Sequence, residues 1–377
     1  MLSPYRGSPA TVVFLCSLHA CGGASSNADV VGTDASDVTA PPDVRLDALV
    51  DSTAVDAAPS VDVIEASTDA SVSAWPDQTN TGYRHAPGCT GPLTPWSGGT
   101  IQSGMTYSCI DFAPGLSVGA MSAPVQNVTF RGCRFHGVAV GNALVVLYGD
   151  NISFDYCSFE PGATAPPCAY EQSYQYGLAG NGGYYSVIEQ LTVTHCDFWG
   201  FGNAIDTQGS TRAKPHVFRD NWIHDASADG GGMYHTDGIG AESGVGTGSY
   251  VVIDHNTIES QGNTNGIAYQ AGHYDHFTMT RNLFGGFGYT VALLGGATDT
   301  TFTDNTFSTR LAVDWGPLYG SDFWTTSGST WRRNRWKVPS GAAWGNPAHD
   351  GWFWVPDASG NSGASDMPFV SETDFGG

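Results

Sequence analysis

One recurring column constrains this chain more than any other feature. Cys109, Cys133, Cys157, Cys196, Asn221, Asn256, Asn282, Asn305 and Asn334 follow one another at spacings of 23 to 39 residues. Three residues before each member runs an apolar column: Phe130, Phe154, Val193, Phe218, Ile253, Met279, Phe302 and Trp331. Two residues after runs another: Phe135, Phe159, Phe198, Ile223, Ile258, Phe284, Phe307 and Trp336. Between them stands a polar column, Arg131, Asp155, Thr194, Arg219, Asp254, Thr280, Thr303 and Arg332. Alternation with a period of two inside a repeat of about 25 residues specifies short strands that recur by stacking. No single repeat can bury its apolar face, whereas stacked repeats can. The expected fold is therefore an all-β solenoid, with no helix longer than about three turns after Ala20.

Composition agrees and removes whole classes of function. Gly contributes 50 of 377 residues, and Lys214 and Lys337 are the only lysines, a poor endowment for helices. The net charge is −22, so no basic face exists to grip a phosphate backbone, and a nucleic-acid partner is excluded.

Residues 80–377 resemble the right-handed parallel β-helix proteins of the pectate-lyase-like superfamily. The resemblance implies a single-stranded parallel β-helix in which Asn side chains stack at a tight bend, each amide bonding the next coil. Here Cys fills the early coils and Asn the later ones, which reads as a small apolar stack giving way to a hydrogen-bonded one. The stacked cysteines point the same way and lack C-x-x-C spacing, so a zinc site is not expected. Cys89 can pair with Cys109 in an oxidising compartment, and Cys168 has no evident partner.

The N-terminus reads as an address. Residues 1–20 hold one basic residue, Arg6, and a short apolar core, Thr11 to Leu15, as in a signal peptide. Leu18-His19-Ala20-Cys21-Gly22 resembles a bacterial lipobox, which implies that Cys21 carries acyl chains and that the protein sits in the outer membrane or on the cell surface. Residues 22–76 then carry ten acidic residues and one basic one, with no aromatic before Trp75. Such a stretch cannot offset its chain entropy, so 21–76 is expected to be a disordered tether and 77–377 the β-helix domain. Contact with a membrane would be through the lipid alone, and a monomer is expected.

Chemistry is sought in the long coils, because insertions in solenoids map to loops on one face. The step from Cys157 to Cys196 spans 39 residues and includes Tyr184 and Tyr185; that from Asn221 to Asn256 spans 35. The latter holds Ile223-His224-Asp225 and His235-Thr236-Asp237-Gly238-Ile239. A further aligned set, Asn142, Asn203, Asp237 and Asn265, makes Asp237 the one ionisable member of an amide column. Asp237 could equally bond its own turn, since Asp-Gly is a turn pair. Candidate catalytic groups are His235, Asp237, Tyr269 and His224. Asp206, expected to face outward, joins Arg212, Lys214, Asp225, Glu242, Tyr184 and Tyr185 as candidate substrate contacts. The resemblance implies a polysaccharide substrate outside the cell. A lyase acting on a uronate must neutralise the sugar carboxylate, by Ca²⁺ or by cations such as Arg212 and Lys214; His235 or Tyr269 would then remove a proton. A hydrolase needs two carboxyl groups, which Asp206, Asp237 and Glu242 could supply. Lyase chemistry is the leading expectation, with a hydrolase or a non-catalytic glycan-binding solenoid as alternatives. The Arg131/Asp155 and Arg219/Asp254 pairs read as cross-strand ion pairs on a solvated sheet.

Overall fold

The computed structural model describes residues 74–113, 115–137, 143–161, 176–180, 188–207, 210–226, 236–241, 250–262, 264–269, 276–293, 299–308, 310–311, 316–319, 330–338 and 369–371. All belong to one compact unit, Asp69–Gly377; the other unit, Met1–Thr68, lies outside them, and so do the signal peptide, Cys21 and most of the segment read as a tether.

Each coil contributes one strand to each of three parallel sheets. Among the described residues, sheet 1 has eleven strands, sheet 2 nine and sheet 3 eight. A coil runs from sheet 2 through a tight bend to sheet 1, then to sheet 3 and back, as in His216–Arg219, Trp222–His224 and Asp237–Ala241. Among the described residues the only helical turn is a 3-10 turn, Tyr83–His85. The two apolar columns fill the interior. Phe130, Phe154, Val193, Phe218, Ile253 and Met279 are buried on sheet 2, and Phe135, Phe159, Phe198, Ile223, Ile258 and Phe284 on sheet 1. Successive rings stack at 4.2–4.9 Å, as in Phe112–Phe135–Phe159–Phe198. Each buried aromatic side chain contributes about 1.5–3 kcal/mol.

The bend from sheet 2 to sheet 1 is built the same way in coil after coil. Tyr156, His195, Asp220, His255, Arg281, Asp304 and Arg333 all take positive φ between 52° and 61°. The left-handed conformation is disfavoured for such residues. It is held because each N–H finds a carbonyl on the next coil, as in His195 N to Arg219 O at 3.1 Å and His255 N to Thr280 O at 2.9 Å. The following residue then points inward. Asn221, Asn256, Asn282, Asn305 and Asn334 form a continuous ladder in which Nδ2 of each donates to Oδ1 of the next at 2.9–3.0 Å. Every Oδ1 from Asn256 onward also accepts the backbone N–H of the Asn before it. The cysteine half is bonded too. Cys133 and Cys157 Sγ donate to Tyr107 O and Phe130 O, the carbonyls an Asn amide would reach from those positions. Burial and the neighbouring thiols hold both far above the usual thiol range.

Two alignments are one residue out. Pairing of Ser108 with Arg131 and of Asp111 with Arg134 puts Ile110, not Cys109, opposite Cys133. Cys109 takes the positive-φ place beside Gly132 instead, faces outward, and forms the disulfide with Cys89. On sheet 3, Ala143 pairs with Tyr176 and Tyr176 with Asn203, so Asn142 is not in that column. A shift of one residue exchanges inside for outside, which is why each slip changes a residue's role.

Residues 75–89 cross the outside of this bend along the solenoid axis. Trp75 stacks on His255 at 5.4 Å. Gly82 N donates to His195 O, Tyr83 N to Ser158 Oγ, and Cys89 is bonded to Cys109. This strap spans six consecutive coils. At Gly132, with φ 59°, a Cβ would lie 2.5 Å from Cys89 Sγ, so glycine lets the strap lie close.

Candidate functional site

On sheet 1 the middle residue of each strand points in and its neighbours point out. Asp197/Trp199, Trp222/His224, Thr257/Glu259 and Leu283/Gly285 therefore share the outer face of four successive coils. Strand pairing sets Trp199 beside His224, His224 beside Glu259, and Glu259 beside Gly285.

His224 is the centre of this group. Its Nδ1 lies 2.6 Å from Asp225 Oδ2 and its Nε2 3.0 Å from Asp197 Oδ1. Its ring stacks on Trp222 at 3.4 Å, and the side chain is 12% exposed. With a carboxylate at each nitrogen, the doubly protonated ring is the form that can donate to both. Burial pulls its pKa down, but the bonds to Asp197 and Asp225 outweigh burial and raise it. Asp225 ends its strand at φ 45° and is 52% exposed. The bond from His224 lowers its pKa; burial opposes this, and the charges of His224 and Arg310 add to the lowering.

Glu259 is 6% exposed. Its Oε2 accepts a bond from Arg310 Nη2 at 2.8 Å. Its Oε1 is buried and has no partner among the described residues. The Glu259 side chain packs directly over Gly285, where a Cβ would lie 2.8 Å from Oε1 and 3.2 Å from Cγ, so glycine there is what lets Glu259 fit. Strand Thr257–Ser260 is tied to the Asp225 segment by Ala226 N, which donates to Ser260 Oγ at 2.7 Å. Asp225, Glu259, His224, Asp197 and Arg310 thus form one charged cluster, flanked by Trp199 and Trp222. A void of only about 10 Å³ between sheets 1 and 3 has His224, Asp237 and Ser260 in its wall, with the apolar Phe198, Phe201 and Phe287.

A family model for a right-handed β-helix region matches residues 110–307, more than half of the chain. The chain belongs to the right-handed β-helix family. No curated protein and no solved structure matches it. The handedness is that of nearly all crossovers between parallel strands.

Within the β-helix the expected site residues separate. His224 and Asp225 come together, and Asp237 lines the small void beside His224. Asp237 is buried in a second ladder: its Oδ1 accepts both N and Nδ2 of Asn265, and its N donates to Asn203 Oδ1. Tyr269 is not at the surface. It lies two residues after the inward Ile267, so alternation turns it into the core, against Phe277 at 4.7 Å. Asp206 follows the inward Ile205, yet it is covered and buried rather than exposed. Lys214 lies at a different corner, where sheet 3 returns to sheet 2, with its Nζ 2.6 Å from both Asp150 and Glu189. Arg212 is exposed in the same turn. His235, Glu242, Tyr184 and Tyr185 lie outside the described residues. Among the described residues no group of three or more His, Cys, Asp or Glu could hold a metal ion. The Arg219–Asp254 and Arg131–Asp155 pairs do form, at 3.0 and 3.6 Å.

Asp197, Glu259 and Arg310 went unread in the sequence, although a signal for the first two exists. They occupy the positions one and three residues after the ladder column. Those columns face outward for the same reason that the apolar one between them faces inward.

Proposed function

We propose that this β-helix protein cleaves an extracellular polysaccharide by hydrolysis, with Asp225 and Glu259 as its pair of carboxyl groups. The observation that carries this reading is His224, clamped between Asp197 and Asp225 one strand from buried Glu259. Glycoside hydrolysis needs one carboxylate kept ionised and one carboxyl group able to deliver a proton. Asp225, exposed and held ionised by His224, suits the base or nucleophile. Glu259, on the next strand and withdrawn from water, is the second carboxyl group. Trp199 and Trp222 offer apolar faces for sugar rings beside them. The resemblance to the pectate-lyase-like superfamily supports a glycan substrate, and the lipobox-like leader supports a place at the cell surface through Cys21.

The lyase alternative is less well supported. Its cations were to be Arg212 and Lys214, and Lys214 is occupied by two carboxylates at another corner of the coil. Tyr269, one of its two candidate bases, is in the core.

A screen of polysaccharides that reads both new reducing ends and the absorbance of unsaturated uronates separates the readings. Reducing ends without that absorbance are expected. Asp225→Asn and Glu259→Gln should each lower turnover by about 100-fold or more, while circular dichroism shows the β-helix still folded. Unsaturated products would establish the lyase instead, and binding without cleavage would establish a glycan-binding solenoid.

A further inference from the structure

The first turn of the solenoid is incomplete. A coil passes from sheet 1 to sheet 3 before it returns to sheet 2. Thr94–Pro95 is the outermost strand of sheet 1, paired with Ile110–Phe112. From there the chain goes to Thr106–Ser108 in sheet 2 and forms no strand of sheet 3 on the way, although residues 96–105 are all described. Sheet 3 therefore starts one turn late, with Leu116–Val118 as its edge. A cavity of about 540 Å³ joins that edge to the loop at Gly98, Gly99 and Thr100, in the place of the absent strand, and Trp96, Phe112, Leu116, Phe135 and Leu144 are in its wall. Trp96 lies over Phe112 at 5.1 Å, and Leu116 is in register with buried Val145, so both belong to the core, yet both are only partly buried. The backbone of the edge is open as well. Val118 O accepts Tyr148 N at 2.9 Å, so Val118 turns its polar groups to the neighbouring strand, and alternation turns the N–H and C=O of Ser117 the other way. This end also lacks charge: Asp111, 3.0 Å from His136, is the only charged residue between Cys89 and Phe130. Met105 and Met121, the exposed large apolar side chains among the described residues, stand at the same end.

We infer that this end of the solenoid binds an extended segment of a partner polypeptide, which adds to Leu116–Val118 as the missing strand of sheet 3. Its backbone bonds to Ser117, and its inward side chains fill the cavity. The wall selects the segment. It holds no ionisable side chain, so the residues that enter are apolar or aromatic at alternate positions, and an ionised one would meet no partner. An acidic segment is further repelled by a chain of net charge −22. Thr94–Pro95 and the loop after it fill the rest of this level, so a single segment fits where a second solenoid end does not. The site is separate from Asp225 and Glu259 and does not depend on the glycan reading.

Binding of a synthetic peptide, Thr-Val-Thr-Phe-Thr-Val-Thr with blocked ends, to the full-length protein tests this when read together with hydrogen exchange. The bound peptide should slow exchange of the amides at 115–119 and leave the later coils unchanged. The same peptide with all its amides N-methylated cannot donate to the edge and should bind at least about tenfold more weakly. Ser117→Pro removes the Ser117 N–H at a place where an edge strand tolerates proline, and should weaken binding about tenfold, whereas Ser117→Ala should not. Equal binding by Ser117→Pro, or of the N-methylated peptide, would overturn the inference; should Ser117→Pro fail to fold, the N-methylated peptide decides alone. Failure of the folded wild type to bind the peptide would overturn it, and so would a neutral glucan oligomer that protects the same amides when the peptide does not. Protection of 115–119 that rises with protein concentration alone would give the edge to a second copy and overturn it likewise.

Discussion

At the residue scale, His224 shows how neighbours decide what an imidazole can do. A histidine offered as a base must have a free nitrogen, and here both ring nitrogens face carboxylates. Its part is to keep Asp225 ionised and to fix its direction. That part depends on pH in a definite way. The folded pKa of His224 is raised, so its contribution to stability is complete below the unfolded value of about 6.5 and is lost as pH rises through the folded value. The folded pKa of Asp225 is lowered, so its contribution is present above about 3.9 and is lost as pH falls. Melting temperatures of the wild type and of His224→Gln, compared from pH 5 to 9, should therefore differ most at the acid end and converge towards the alkaline end. A difference that does not change with pH would mean that the ring is held for its shape alone. Of the site, the sequence made His224 and Asp225 legible because they adjoin a column whose direction is known. Glu259 stayed hidden because an outward position ordinarily means solvent, and nothing local announces that this one is covered.

At the scale of the element, the bend with its ladder sets the register of everything else. Asn256 donates its amide to Asn282 Oδ1 and to Phe218 O, and accepts two bonds from Asn221. Asn256→Leu removes these and strands buried partners on both neighbouring coils, at a cost of about 1–3 kcal/mol. Cys133→Ala loses one weak thiol bond and a small volume and should cost less, about 1 kcal/mol. Urea unfolding of the two variants checks the order; a costlier Cys133→Ala would mean that packing rather than hydrogen bonding holds the ladder. Most strands of sheets 1 and 2 could be read from the sequence because Phe, Val and Ile recur two and three residues from the ladder. The two slips share a cause. The residue before the ladder takes a left-handed conformation that Tyr, His, Asp and Arg all adopt here, so no residue type marks it. In the first coil that residue happened to be a cysteine, which resembled the column one step later. On sheet 3 coil lengths vary, so the Asn142 alignment had nothing to correct it.

At the scale of the whole molecule, the strap and its disulfide join coils that the sheets connect only to their immediate neighbours. In a solenoid each repeat touches the next, so an end can fray without disturbing the middle. Here the bond from Cys89 to Cys109 closes a loop of about 20 residues around the first coil. Loop closure of that size is worth about 3 kcal/mol in the chain-entropy model. A protein carrying Cys89→Ala and Cys109→Ala should melt at a lower temperature, and its hydrogen exchange should accelerate in the first coils well before the later ones. Uniform acceleration would mean that the solenoid unfolds as one cooperative block. The strap also determines how the molecule takes a load. Residues preceding Trp75 join the fold beside His255, far along the solenoid from the first coil, so a pull on the N-terminal segment first peels the strap. Fully extended, residues 75–89 measure about 50 Å, and the strap already covers five coil steps of about 4.8 Å, so roughly half of that length is slack. Tension then passes through the disulfide and skips residues 90–108, leaving the first strands out of the line of force. The strap is thus a mechanical fuse, which gives way before any coil has to unwind.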